Sequence, residues 1–312
     1  MNDKSLLIGI PTYAGKKYCQ EDFFEALFNL EIPEGYEVDI LVLENTFDVM
    51  NTKYFVELND LFRAKGFNDI SVGHIGVSDR YNIQQRLTMV YNYIRGYFLK
   101  FEFDRLLTLE SDVLLGKNHL VKLTKEMDLL LAEGINIGKM DAVTEYVKKK
   151  LTDEQQDALK AEGVFVAGKE FADIEYNTMI YKTLSLDEGD LAHAKEPLPL
   201  LIGPKEGYLT VEVPAMNKFG YLVEHKPYSH EEMLDLALQK AVLEVEGAPL
   251  GCSLIRKEVI QKVPFRYSAL LGVFNDVIYN IDIRKAGFRI FVDTSVWPEH
   301  RAHFWTGDEK KA

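Results

Sequence analysis

Two carboxylates, Glu110 and Asp112, follow a short apolar run, Leu106 to Leu109. Acids spaced in this way project to the same side of an extended backbone. Two carboxylates aimed at one spot repel unless something cationic lies between them. At the end of a buried strand, the occupant that suits them is a hard divalent ion with oxygen ligands, Mg²⁺ or Mn²⁺, which keeps open positions for phosphate oxygens. The alternative is a turn in which Asp112 and Ser111 satisfy local backbone groups.

The elements that would position these acids are readable upstream. Ser5 to Ile10 is an apolar run that opens at Pro11-Thr12-Tyr13, the pattern of a buried parallel strand. Tyr18 to Leu30 has helical spacing, with Phe23, Phe24, Leu27 and Phe28 in its stripe, and Pro33-Glu34-Gly35 ends that unit. Val38 to Glu44 is a second strand, Thr52 to Lys65 a helix stopped by Gly66, and Ile70 to Ile75 a third strand. Tyr81 to Leu99 is a long amphipathic helix, and Phe103 to Leu109 is the strand that delivers the acids. This β-α-β-α-β-α-β order predicts an α/β fold, a mostly parallel sheet with helices on both faces. Ligands gather at the carboxyl ends of such strands, where Thr12, Glu44, Glu110 and Asp112 fall.

Further along, Leu120 to Glu133 and Glu231 to Val245 read as helices. Glu145 to Glu162 reads as a charged helix whose Lys148-Lys149-Lys150 run is solvated surface. Glu170 to Leu184 mixes strand and turn signals, and Tyr208 to Val213 and Gly220 to Val223 suggest a hairpin through Pro214 to Lys218. Residues 135–230 are expected to form an inserted, acceptor-facing region within a single domain of residues 1–312. From Gly247 the order returns. A small-residue turn enters a strand ending near Arg256, Lys257 to Val263 is a short helix, and Asn275-Asp276 leads into a helix, Val277 to Ala286, closed by Gly287. Phe288 to Asp293 is a last strand, followed by Trp297, His300 and His303.

The chain has 312 residues, 47% of them apolar, enough for one large α/β domain with an elaboration. Its formal charge of −13 does not steer it to nucleic acid or anionic lipid. Only a local basic patch would bring it to such a partner, a nucleic acid acceptor included. Two cysteines, Cys19 and Cys252, make no disulfide framework and fit a reducing, cytoplasmic setting. No signal-peptide pattern precedes the first strand, and no apolar run approaches a membrane span.

Ile8-Gly9-Ile10-Pro11-Thr12-Tyr13, Glu110-Ser111-Asp112, Asn275-Asp276 followed by Gly287, and Asp293 followed by His300 come in an order that resembles the GT-A glycosyltransferases, of the family 2-like kind. These depend on nucleotide sugars and have one Rossmann-like domain. The resemblance covers roughly the first 115 and last 65 residues. It implies a GT-A fold with a large insertion before the last strands. It also implies a hexosyltransferase-type enzyme moving sugar from a UDP- or GDP-sugar to a carbohydrate or other hydroxyl acceptor, with inversion and with Mn²⁺ or Mg²⁺ as cofactor. Under it, Asp112 is the direct metal ligand, and Glu110 binds the ion through water or binds the donor's ribose or sugar. His300 or His303 completes the ligand set.

Thr12 and Tyr13 would line the base pocket, although Tyr13 also reads as ordinary packing. Glu44 would accept from the base or ribose, or else cap the following helix through backbone amides. Arg80 and Arg86 would approach the diphosphate, or else form surface salt bridges. Asp276 would be the general base, the helix N-cap, or both. Trp297 and Trp305 could stack on a sugar face. Two departures from the family stand out: Glu110 replaces the first Asp of Asp-x-Asp, and Asn275 replaces the first acid of Glu-Asp. Two other functions use the same site, a nucleotidyltransferase and a catalytically inactive sugar-nucleotide-binding protein.

Overall fold

The core strands alternate between two apolar clusters, so both faces of the sheet are covered. Leu7, Leu41, Leu43, Leu106, Ile255, Ile290 and Val292 belong to one cluster. Leu6, Ile8, Ile10, Val42, Leu107, Leu109, Leu254 and Phe291 belong to the other. Period-two alternation with both sides apolar makes a continuous hydrophobic run, which is why these segments read as buried strands. The computed structural model describes residues 4–46, 53–64, 70–76, 80–142, 181–186, 215–216, 222–227, 230–267 and 275–301.

Strand β1 (Lys4–Thr12) lies between β2 (Tyr36–Glu44) and β4 (Arg105–Leu109), and β3 (Ile70–His74) pairs with β2, all in parallel. Beyond β4 come β11 (Cys252–Arg256), β6 (Ile137–Ala142), β12 (Arg289–Asp293) and β10 (Val242–Val245) in an 8-stranded sheet. Only β11 and β10 run against the others, so the sheet is mixed but mostly parallel. The register matters for the site: Thr12 pairs with Glu44, and Glu44 with His74. Three strand ends therefore line up in one row.

Helices α1 (Gln20–Phe28), α2 (Lys53–Ala64) and α4 (His119–Ala132) pack on one face through Phe23, Phe24, Leu58, Phe62, Leu123 and Met127. On the other face lie α3 (Ile83–Lys100), α5 (His230–Leu238), α6 (Lys257–Lys262) and α7 (Asn275–Lys285). The stripe Val90, Tyr91, Ile94 and Phe98 anchors α3, each side chain contributing roughly 1.5–3 kcal/mol of burial. Asn82 starts that helix with a reciprocal capping box: it accepts from Gln85 N and its own amide donates to Gln85 Oε1, both at 2.9 Å. Gly9 lets α3 sit directly on β1, because a Cβ there would meet Ile94 Cγ2 at 2.5 Å.

Two smaller sheets complete the described structure. One pairs β5 (Val113–Leu114) with β13 (Glu299–His300), and the other orders β7 (Tyr181–Leu186), β9 (Leu222–Pro227) and β8 (Ala215–Met216). Of the hairpin expected through Pro214 to Lys218, β9 covers the end of the second strand, β8 is a strand within the segment expected to turn, and the first expected strand, residues 208–213, lies outside the described residues, as does the helix expected at 145–162. No helix among the described residues is long and apolar enough to cross a membrane.

Two sequence expectations change. The helix expected over Glu231 to Val245 stops at Leu238, and Val242–Val245 is an edge strand. Lys240 takes a left-handed conformation, φ 52°, and the amide of Ala241 closes onto Leu236 O at 3.1 Å. That turn ends the helix, and the β-branched run beyond it pairs with β12. The second change is β6. It lies inside the 135–230 stretch expected to be inserted, yet it is a wholly buried strand between β11 and β12.

Candidate active site

The cluster is built by a turn and a short ladder. Glu110 leaves β4 with its amide donating to Gly251 O at 2.8 Å, and Val113 N donates back to Glu110 O at 3.0 Å. Ser111 and Asp112 occupy that turn. The two carboxylates therefore converge through a turn rather than through the extended backbone expected from their spacing. The chain then enters β5, whose antiparallel partner β13 places His300 opposite Val113. Arg301 N donates to Asp112 O at 2.8 Å and locks this register. As a result His300 Nε2 stands 3.3 Å from Asp112 Oδ2.

One ligand atom each from Glu110, Asp112 and His300 lie within 4.8 Å of one another. Asp112 is buried, whereas Glu110 and His300 keep partial exposure. The Oδ1 atom of Asp112 is buried and has no hydrogen-bond partner among the described residues. Tyr91, buried on α3, donates its hydroxyl to Glu110 Oε1 at 3.4 Å and stacks on Phe265. Gly251 brings bare backbone against Glu110, since a Cβ there would lie 3.8 Å from the carboxylate.

Sequence reasoning did not find Lys16. It follows β1 on a 3-10 turn, Ala14–Cys19, and its ammonium bonds to Asp112 Oδ2. Tyr18, on the same turn, has its hydroxyl 3.5 Å from Asp112 Oδ2 and donates to Arg301 O. Burial pushes the Asp112 carboxyl up, but the hydrogen bond from His300 and the charge of Lys16 outweigh it and hold the group at about 2. Burial and the neighbouring charge of Asp112 push Glu110 up, against the pull of Lys16 and His300. Burial alone would lower Lys16; the charges of Asp112 and Glu110 raise it instead. The cluster thus holds one acid firmly ionised beside one held back.

The other site residues fall as follows. Thr12 is buried at the end of β1, 3.5 Å from Tyr54 Oη, and Tyr13 beyond it is exposed. Glu44 is fully buried: Oε1 accepts from Thr46 N at 2.6 Å and Oε2 bonds to His74 Nδ1 at 2.5 Å. With both oxygens taken up by Thr46 N and His74, Glu44 holds the turn after its own strand and orients His74. His74, missed from sequence, has its Nε2 buried with no hydrogen-bond partner among the described residues. Arg80 lies exposed just before α3, and Arg86, whose Nε donates to Asn82 O at 3.4 Å, lies in the neighbourhood of Tyr13.

Asp276 sits in the first turn of α7, which begins at Asn275, so it is inside the helix rather than capping it. Its Oδ1 accepts from Val277 N at 2.8 Å, burial pushes its carboxyl up, and it is close enough to Glu110 for their charges to interact. Trp297 is a core residue, fully buried with Nε1 donating to Thr294 O at 2.8 Å, and so presents no face to a sugar. His303 and Trp305 lie outside the described residues.

Behind the cluster lies a buried polar network. Lys139 Nζ pairs with Asp141 Oδ2 at 2.6 Å, donates to Ala248 O at 2.6 Å, and reaches Asn280 Oδ1 at 3.2 Å. Ser253 Oγ bonds to Asp141 Oδ1 and donates to Pro249 O at 2.9 Å, and Thr108 Oγ1 donates to Leu250 O at 2.8 Å. Together these side chains pin consecutive carbonyls of the turn that ends in Gly251, the residue against Glu110.

No protein-family model and no curated protein matches the sequence. Among solved structures, the fold is similar to that of GalNAc-T7 crystallised with UDP, GalNAc and Mn²⁺, with a TM-score of 0.51 and 11% identity over 95% of this chain and 43% of that one. A197 from STIV is also similar, with a TM-score of 0.36 and 13% identity over 95% of this chain and 85% of that chain. This chain therefore spans less than half the length of the GalNAc-T7 chain. The architecture is α/β, a mostly parallel mixed sheet of the GT-A-like kind, with a carboxylate-imidazole cluster that could hold a metal ion.

Proposed function

We propose that this chain is a metal-dependent glycosyltransferase of the hexosyltransferase type. It moves a sugar from a UDP- or GDP-sugar to the hydroxyl of a carbohydrate or other acceptor, with inversion. The observation that carries this reading is the meeting of Glu110 and Asp112, from the turn after β4, with His300 of β13, where the parallel strands end. Support also comes from a fold similar to that of a structure holding UDP and Mn²⁺. The residues fit a hard divalent ion: two carboxylates, one imidazole, and an Asp112 oxygen that is buried with no hydrogen-bond partner among the described residues. Such an ion, when bound, neutralises the charge that develops on a departing diphosphate.

The chain's own side chains do the rest. Asp112 and His300 are the direct ligands, and Glu110, steadied by Tyr91, orients the ion or the donor's ribose. Thr12 and Tyr13 line the base pocket, and Glu44 acts on the nucleotide through His74, the imidazole it holds in place. Arg80 and Arg86 approach the diphosphate. Asp276 accepts the acceptor hydroxyl's proton as the new carbon–oxygen bond forms on the sugar's far face and the bond to diphosphate breaks. Burial raises its carboxyl, which makes its carboxylate the stronger base for that step. Residues 143–230 select the acceptor, since loops on a fixed scaffold set specificity, and the whole chain works as one catalytic domain.

The test is a panel of nucleotide sugars incubated with Mn²⁺. Slow hydrolysis to the free diphosphate is expected, abolished by EDTA and by Asp112→Ala. One observation favours a second reading: Lys16, a loop lysine beside the acids, would also suit nucleotidyl transfer. Pyrophosphate release from a nucleoside triphosphate would replace the first reading with that one. Stabilisation by nucleotide without turnover would instead mark an inactive binding protein.

A further inference from the structure

Lys16 and a divalent ion need the same carboxylate. The ammonium is bonded to Asp112 Oδ2, the atom His300 also addresses, and the lysine side chain is only 14% exposed. A doubly charged ion held by Glu110, Asp112 and His300 would repel an ammonium bonded to the same carboxylate. Lysine is a point charge on a flexible stem, so it can leave without moving the backbone. Its turn follows directly from Thr12 and Tyr13, on the edge where the strand ends meet. An ammonium displaced there needs a new anionic partner, and the neighbouring Lys17 is already paired with Glu57, leaving that acid occupied.

We propose that Lys16 is a built-in competitor for the divalent ion at Asp112, and that it couples ion loading to nucleoside-diphosphate binding: the ion evicts the ammonium and the diphosphate receives it. The inference takes from the glycosyltransferase reading that this cluster is the ion's seat. In the ion-free protein Lys16 neutralises Asp112 and keeps the cluster assembled. Ion and diphosphate then bind better together than either does alone, and by linkage the effect is reciprocal.

The experiment titrates Mn²⁺ into the full chain, following free Mn²⁺ by electron paramagnetic resonance, without nucleotide and then with UDP or GDP. Wild type is expected to bind Mn²⁺ more tightly when diphosphate is present. Lys16→Met is expected to bind Mn²⁺ alone about tenfold more tightly, the scale of one charge-assisted hydrogen bond removed from competition, and to shrink the ratio of the two affinities by about the same factor. Lys16→Gln provides a second variant that keeps a polar tip and should behave alike. A ratio unchanged in both variants, or no shift with either diphosphate in wild type, overturns the inference while Asp112→Asn still abolishes Mn²⁺ binding and the ion site stands. Mn²⁺ binding indifferent to Asp112→Asn overturns the ion site and this inference together.

Discussion

His300 reaches Asp112 because Glu299–His300 pairs with Val113–Leu114 as a short antiparallel ladder, which leaves His300 Nε2 3.3 Å from Asp112 Oδ2. The ladder, rather than the histidine's neighbours in sequence, determines which imidazole joins the acids. His300→Ala is therefore expected to weaken Mn²⁺ binding at least tenfold, the effect of losing even an outer-shell partner at a metal site. Thermal stability should fall as well, since His300 helps to hold the buried Asp112 carboxylate ionised. Calorimetric titration of Mn²⁺ into the variant checks this, and unchanged affinity would remove His300 from the ligand set.

The Asp112 carboxyl, held at about 2 against an ordinary 3.8, makes a pH prediction with a definite sign. A carboxyl lowered on folding favours the folded state when ionised. Its contribution is complete above about pH 4 and is lost as the pH falls through the folded value. Integrated, this is on the order of 2 kcal/mol. Urea unfolding of wild type and Asp112→Asn at about pH 5 and about pH 2 should show their stability difference narrowing by that amount at the acid end. A pH-independent difference would mean that Lys16 and His300 do not stabilise the ionised acid.

Asp276→Asn separates chemistry from binding. The amide oxygen can still accept from Val277 N, so the first turn of α7 survives. What is lost is the proton acceptor. Transfer is expected to fall by about 10²- to 10⁴-fold with donor affinity unchanged, the usual worth of a general base. Steady-state kinetics with a nucleotide sugar and acceptor measures both. Unchanged turnover would point to a retaining route that needs no such base.

What was legible in the sequence follows from short-range physics. Leu6, Leu7, Ile8 and Ile10 gave a buried strand because both faces of β1 are apolar, and the amphipathic run to Leu99 gave α3 because Val90, Tyr91, Ile94 and Phe98 share one buried face. The acids at 110 and 112 announced a site. Its completion was not legible, because it depends on register. Lys16 meets Asp112 and His74 meets Glu44 across strand ends, and nothing local to Lys16 or His74 signals either pairing. Tyr91 was hidden in its own helix stripe, where an aromatic reads as core until its hydroxyl needs a partner. Val242–Val245 was misread as helix because a short apolar run has no decisive period.

The hardest element to read was β6, where Lys139 and Asp141 interrupt the apolar pattern, and it leads to a prediction on stability and activity. Both side chains are fully buried and lie on the same side of the strand, paired at 2.6 Å. Burial pushes the Asp141 carboxyl up to about 7, against the pull of Lys139 and Ser253. Lys139→Met removes the compensating charge and leaves Ala248 O to Asn280 Nδ2 alone. The expected loss is about 3–5 kcal/mol near neutral pH, the cost of a buried charge left alone. A raised acid destabilises the fold progressively as pH rises from about 4 through its folded value, so the penalty should shrink on acidification. Lys139→Met combined with Asp141→Leu should recover much of the stability, because two apolar groups of similar size need no pairing. Activity should not recover with it. The turn from Ala248 to Gly251 would lose the Lys139 bond to its first carbonyl, and Ser253 would lose its Asp141 partner, while Gly251 carries Glu110. Urea unfolding against pH gives the first arm, and Mn²⁺-dependent turnover of the double variant gives the second. Full activity in a restabilised double variant would show that the network serves the fold alone.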